Sequence, residues 1–175
     1  NFDIIFCAGV IHHMEHPNRG LEILCNILNN NGHMRLGLYS KIAREKFSRI
    51  KNYVKKYNFK SDVKGVREFK SYLANSQKKD FQGLSMIRDY FNTSECIDLF
   101  FNMNERTYDC LEIKKMLSDH HLDFCGFSLP EAKLIYKNHY PEDKTMLNLK
   151  NWYEFESNYP QTFTSMYQFW VKKKV

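Results

Sequence analysis

The residues with the most chemical potential lie close together near the start of this 175-residue sequence. His12 and His13 follow a short apolar run. A histidine with a pKa near neutrality can take a proton from a nucleophile or orient it. His12-His13-Met14-Glu15-His16 also spells H-x-x-E-H, which holds zinc when both histidines share one helical face a turn apart. A strand and Gly9 before it and Pro17 directly after it exclude a helix continuing past His16. No third ligand presents itself in the sequence, so no metal is expected. Cys7, Ala8, Gly9 and Val10 form a small-residue segment of the kind that lets backbone approach a ligand closely. Further on, Tyr39, Ser40 and Arg44 stand where an apolar run gives way to a helical pattern. Arg44 has the geometry to pair bidentately with a carboxylate or phosphate. Its plainer role is that of a surface arginine on a basic helix.

These side chains need elements to hold them, and the patterning supplies them. Phe2 to Cys7 reads as a buried strand of the parallel type, ending in Ala8-Gly9. His12 to Pro17 reads as a loop. Asn18 is placed to cap a helix to about Leu28, with Leu21, Leu24 and Leu28 on one stripe. Asn29-Asn30-Asn31-Gly32 reads as its stop, because Asn and Gly tolerate left-handed backbone. His33 to Tyr39 is the second strand, with Met34, Leu36 and Leu38 on one face. Strand, helix and strand in that order make a βαβ unit of a parallel sheet. Ile42 to Tyr57 is helical, and shorter helices are expected over 65–73 and 94–101. Asp109 and Glu112 have capping-box spacing before the stripe Ile113, Met116, Leu117. Strands are expected over 122–127 and 166–171, with helices from Pro130 to about 138 and over 147–157 between them.

The fold class is therefore α/β. The expected division is residues 1–40 as part of a ligand-binding core, 41–108 as a helical insertion, and 109–175 as the last helices and strands of the same domain. An insertion at the C-terminal end of a parallel strand falls where α/β proteins bind ligands, which makes it a candidate cap.

Composition narrows the classes. Hydrophobic residues make up 43% and aromatics 15%, which excludes a disordered tail. No apolar run approaches the length of a membrane span, so no membrane partner is expected. Five scattered cysteines without a Cys-x-x-Cys argue against a disulfide framework and for a reducing compartment, the cytoplasm. The net charge of +6 is uneven: Lys41 to Lys79 carries thirteen Lys/Arg against three Asp/Glu. Such a block can serve an anionic partner. Lysine outnumbers arginine in it and no nucleic-acid motif accompanies it, so a solvated basic face is the simpler expectation and nucleic acid is not the expected partner.

Phe2-Asp3-Ile4-Ile5, the Gly9-Val10-Ile11-His12-His13 loop, Leu24 and Leu28, and Asn31-Gly32-His33-Met34 together resemble the fourth strand, fourth helix and fifth strand of class I S-adenosylmethionine-dependent methyltransferases. Gly37-Leu38-Tyr39-Ser40, Ala43-Arg44, Phe124-x-Gly126-Phe127, Trp152-x-x-Phe155-Glu156 and Pro160-x-Thr162-Phe163-x-x-Met166-Tyr167-Gln168-Phe169-Trp170 look like the methyltransferase domains that bacteria fuse behind tetratricopeptide repeats. The resemblance implies a Rossmann-like sheet, represented here by strands four to seven, in which the last strand is antiparallel and slots between its predecessors. It implies S-adenosylmethionine as cofactor and a small-molecule or protein methyl acceptor. By the same likeness Cys7, Ala8, Gly9, Val10 and His12 line the cofactor, His13 is a candidate base, and Tyr39, Ser40 and Arg44 face the substrate. Tetratricopeptide repeats upstream are a further implication. The family's Gly-rich turn has no counterpart: the chain has seven glycines and no G-x-G. With no initiator Met before Phe2, the expectation is the C-terminal part of such a domain, inactive alone. The alternative is a degenerate methyltransferase-like module that binds an anion through the 41–79 block.

Overall fold

The computed structural model describes residues 1–163 and 166–174, with backbone only for Asp80 and Ser85. The chain forms two compact units, one of 1–44 with 104–175 and one of 45–103.

In the first unit, four strands build one sheet: β1 (Phe2–Ala8), β2 (Leu28–Tyr39), β3 (Leu122–Phe127) and β4 (Met166–Lys173). Their order is β1-β2-β4-β3. β2 is parallel to β1, and β4 runs antiparallel between β2 and β3. This is the expected mixed α/β sheet with its last strand inserted antiparallel. β4 alternates as a half-buried strand must: Tyr167, Phe169 and Val171 are buried. Each such side chain contributes about 1.5–3 kcal/mol by leaving water. Helices α1 (Pro17–Ile27), α5 (Cys110–Asp119), α6 (Pro130–His139) and α7 (Leu149–Asn158) complete this unit. Their apolar stripes join Met34, Leu36 and Leu38 of β2 in one core. Trp152 stacks on Tyr136 at 4.0 Å and meets Phe127 edge-on at 5.2 Å. The capping box of α5 forms as the spacing predicts: the Asp109 carboxylate accepts from the Leu111 and Glu112 N–H groups, and Glu112 accepts from the Asp109 N–H.

Three expectations need correction. β1 is not buried: it is the sheet edge, and Phe2, Ile4 and Phe6 on one of its faces are more than half exposed. An apolar run of this length marks a strand but does not reveal which neighbours cover it. Asn18 does not cap α1; the helix opens at Pro17, where a missing N–H costs nothing, and His16 at the cap position makes no side-chain bond. Asn29 to Gly32 is not a left-handed turn. The helix ends at Ile27 and the chain passes straight into β2, with a register shift opposite Phe2 to Ile4. Gly32 is small for a steric reason, since a Cβ there would lie 2.6 Å from Leu28 Cδ1.

The second unit is helical. Its main elements are α2 (Lys41–Lys56) from Glu45 onward, α3 (Val63–Ala74) and α4 (Thr93–Phe101). Asp62 caps α3 and Asn92 caps α4. Ile50, Val54, Val66, Phe69 and Phe100 form its core. No described helix in either unit is long and apolar enough to cross a membrane.

Candidate functional site

The C-terminal ends of β1 and β2 meet at Ala8 and Gly37, which are paired across the ladder. Gly37 is what allows this: a Cβ there would lie 2.6 Å from Ala8 Cβ. β1 then stops because Gly9 turns into left-handed backbone, with φ of 75°. Its N–H still reaches the Gly37 carbonyl at 3.3 Å. A Cβ at Gly9 would meet nothing within 4 Å. Glycine is thus needed there for conformation, and the space beside it is open. Cys7 is half-buried and Val10 exposed at this same edge.

One helical turn, Ile11–His13, follows and sends His12 inward. His12 is fully buried and neither ring nitrogen has a partner with hydrogen-bond geometry. Its ring lies 3.9 Å from the Tyr39 ring and 4.4 Å from that of His13. Burial, reinforced by His13 and Arg44, holds its pKa down at about 4. Glu105 and the nearby Gly37 backbone pull the other way without prevailing. His12 is therefore a neutral imidazole at physiological pH and a poor proton acceptor.

The Arg44 guanidinium sits over the other aromatic neighbour, 4.0 Å from the Tyr39 ring centroid. It forms a two-pronged pair with Glu105, Nε to Oε1 at 2.9 Å and Nη2 to Oε2 at 2.6 Å. Both side chains are almost wholly buried. Arg44 is consequently not an exposed basic-face residue; its charge is matched inside the unit. Planar stacking together with a bidentate carboxylate suits arginine and would not suit lysine. The segment carrying Glu105 is tied down on both sides. The Arg106 N–H donates to the His12 carbonyl at 2.8 Å, and the Tyr108 N–H to the Tyr39 carbonyl at 2.9 Å.

Ser40 is buried between these groups. Its hydroxyl accepts from the Ala43 N–H at 3.1 Å, capping α2, and donates to Glu156 Oε1 at 2.5 Å. The Tyr167 hydroxyl donates to the other oxygen of Glu156. Burial keeps the Glu156 carboxyl above its usual range, although both hydroxyls act to lower it. The Tyr108 hydroxyl is buried without a hydrogen-bond partner, and burial raises its pKa.

Of the residues singled out in the sequence, His12, His13, Tyr39 and Arg44 form one continuous stack. Cys7 to Val10 form the adjoining sheet edge, and Ser40 is a buried anchor at the start of α2. Glu105, and Glu156 of the Trp152-x-x-Phe155-Glu156 motif, have partners that the sequence did not suggest, because a lone acid has no periodicity to mark its partner. The H-x-x-E-H residues do not share a helix: His12 and His13 lie in the single turn and His16 precedes α1. Among the described residues no group of three or more His, Cys, Asp or Glu could hold a metal ion. A cleft lined by Lys114, Asp123, Leu147 and Lys172 among others lies elsewhere, at the opposite end of the strands. Ligands of open α/β sheets bind at the carboxyl ends of the parallel strands, which is the Gly9 end.

The fold at this site is shared with a solved structure, PKMT2 from Rickettsia typhi in complex with AdoHcy. The match has a TM-score of 0.67 and covers 99% of this chain and 36% of that one, at 13% identity. A second PKMT2 structure from the same organism gives a TM-score of 0.64 over 99% of this chain and 35% of that one, at 14% identity. Among curated sequences, an uncharacterized protein of Synechococcus sp., syc1184_c, is 28% identical over 139 residues, 73% of this chain and 32% of the relative. The chain thus spans about a third of the length of these relatives. No family model matches the sequence.

Proposed function

We propose that this chain is part of an S-adenosylmethionine-dependent methyltransferase and contributes one wall of the cofactor site and the adjoining acceptor side. The observation that supports this most is the whole-chain match to a structure solved with AdoHcy. The residues present fit such a group: Gly9 leaves open space at the strand edge, and His12 buries two unpartnered nitrogens beside it. The cofactor supplies a methyl group on a sulfonium, and its transfer is an in-line displacement that needs alignment above all.

In this reading Cys7, Ala8, Gly9 and Val10 line the cofactor. His12 stays neutral and orients by ring packing and hydrogen bonding, leaving His13 as the candidate base. Arg44, fixed by Glu105, and Ser40, fixed by Glu156, hold Tyr39 at the acceptor side. Within the 41–79 block, Lys41 pairs with Asp109 and Glu112, Arg44 with Glu105 and Arg49 with Glu45. Those pairings occupy three of the block's thirteen cations, and Arg44 among them is buried away from any anionic partner.

The 175 residues hold no G-x-G, so the other wall of the site would come from additional sequence. Isothermal titration with S-adenosylhomocysteine tests both parts. A protein made from the natural reading frame should bind it and transfer radiolabelled methyl groups to an acceptor in cell extract. The 175-residue chain should bind at least a hundredfold more weakly. Micromolar binding by the chain alone would overturn the half-site assignment, and absence of binding by the longer protein would overturn the function.

A further inference from the structure

The second unit holds a lysine ammonium inside a set of aromatic rings. Lys78 Nζ lies 4.1 Å from the Tyr53 ring centroid, 5.7 Å from Tyr72, 5.8 Å from Tyr57 and 5.9 Å from Phe81. Tyr53 lies on α2 and Tyr57 directly after its last residue, with its N–H still donating to the Tyr53 carbonyl at 3.0 Å, so the two share one face. Tyr72 comes from α3, and Phe81 from the short turn Lys79–Phe81. The rings brace one another: Tyr57 and Tyr72 are 4.8 Å apart, Tyr53 and Phe81 5.0 Å, Tyr72 and Phe81 5.8 Å. Phe81 is buried as the floor, whereas Tyr57 is 44% exposed, so the cage opens to solvent.

The cage favours a cation: the Tyr72 hydroxyl first, with Tyr53 and Tyr57, holds the Lys78 ammonium above its usual pKa. Lys78 has three N–H donors, and it donates to the Tyr72 hydroxyl at 3.0 Å. No carboxylate among the described residues pairs with it. A methylated ammonium has few or no donors to satisfy, sheds water more readily, and presents polarised methyl groups to ring faces. Lys78 itself lies beyond the end of α3, in a stretch outside regular structure, so it can leave without unwinding a helix.

We propose that Tyr53, Tyr57, Tyr72 and Phe81 form a binding site for a methylated ammonium group, either a methylated lysine side chain or a free quaternary amine, which Lys78 occupies when no such ligand is present. This site is independent of the methyl-transfer reading and stands or falls separately.

The test is NMR titration of the full chain and of Lys78→Ala with three probes: an Nε-trimethyl-lysine peptide, choline, and 3,3-dimethylbutan-1-ol, the neutral isostere of choline. Lys78→Ala should bind at least one cationic probe about tenfold more tightly than the parent chain does, and tenfold more tightly than the neutral isostere. Adding Tyr53→Leu should remove that binding. Binding of the peptide without choline assigns the site to lysine side chains; binding of both assigns it to the shared headgroup chemistry. Equal binding of the neutral alcohol, or no binding by a folded Lys78→Ala, overturns the proposal. Should Lys78→Ala fail to fold, reductive methylation of the parent chain with 13C-formaldehyde decides instead. The methyl resonance of Lys78 must then shift upfield of the other lysines by ring current; a resonance among the bulk lysines overturns the cage.

Discussion

Burial of His12 makes the stability of this protein sensitive to mild acid in a way that one substitution isolates. The imidazole has a pKa of about 4 in the folded chain against an ordinary value of 6.5. Above pH 6.5 the ring is neutral in both the folded and unfolded states, and the contribution to stability is fully present. As pH falls below 6.5 the unfolded chain takes up the proton first, so stability is lost down to about pH 4 and changes little below it. Integrating that difference from pH 7 to pH 5 gives a loss of about 2 kcal/mol. That is a large share of the ~5–15 kcal/mol that usually holds a domain together. His12→Phe keeps a ring against Tyr39 and removes both unpartnered nitrogens, so at pH 7 it should be equal to the parent or more stable by up to about 2 kcal/mol. Urea unfolding of parent and variant between pH 7.5 and 4.5 provides the comparison, and the two curves should diverge by about 2.5 kcal/mol over that range. Parallel curves would refute the reasoning, as would a His12 ring proton that titrates by NMR near 6.5.

Other consequences can be measured independently. Glu105→Gln leaves Arg44 buried without its carboxylate and should cost about 3–5 kcal/mol in chemical denaturation, whereas loss of an exposed pair such as Lys115–Asp119 should cost under about 1 kcal/mol. Gly9→Ala has room for its methyl group but not the backbone angle, so it should cost about 1–2 kcal/mol by the same assay. In thiol labelling of the native chain, exposed Cys125 should react first, and buried Cys96 and Cys110 only as the protein unfolds.

The architecture was legible in the sequence wherever it rests on local pattern. The alternation Met34, Leu36, Leu38 gave a strand, the Asp109 to Glu112 spacing gave a cap, and Pro130 gave a helix start. The sheet order came from resemblance, since no local pattern says that β4 separates β2 from β3. What escaped depends on distance along the chain. Arg44 and Glu105 are 61 residues apart, and Ser40 and Glu156 are 116 apart. Nothing near either acid indicates that it will be buried against that partner. The exposure of β1 escaped for a related reason: apolar residues announce a strand, but only its lateral neighbours determine whether it faces water.

The position of β4 bears on how the protein is made. It is the last of the four described strands in sequence and yet lies between β2 and β3, so among them β3 has no partner until β4 arrives. During synthesis β1 and β2 can associate early, but the sheet cannot close until residues beyond 166 leave the ribosome. Pairings of such long sequence separation form slowly. Until then the core faces of β2 and β3 stay open, and the nascent chain is vulnerable to aggregation and proteolysis. Loss of a few residues from β4 would not trim an edge but divide the sheet in two.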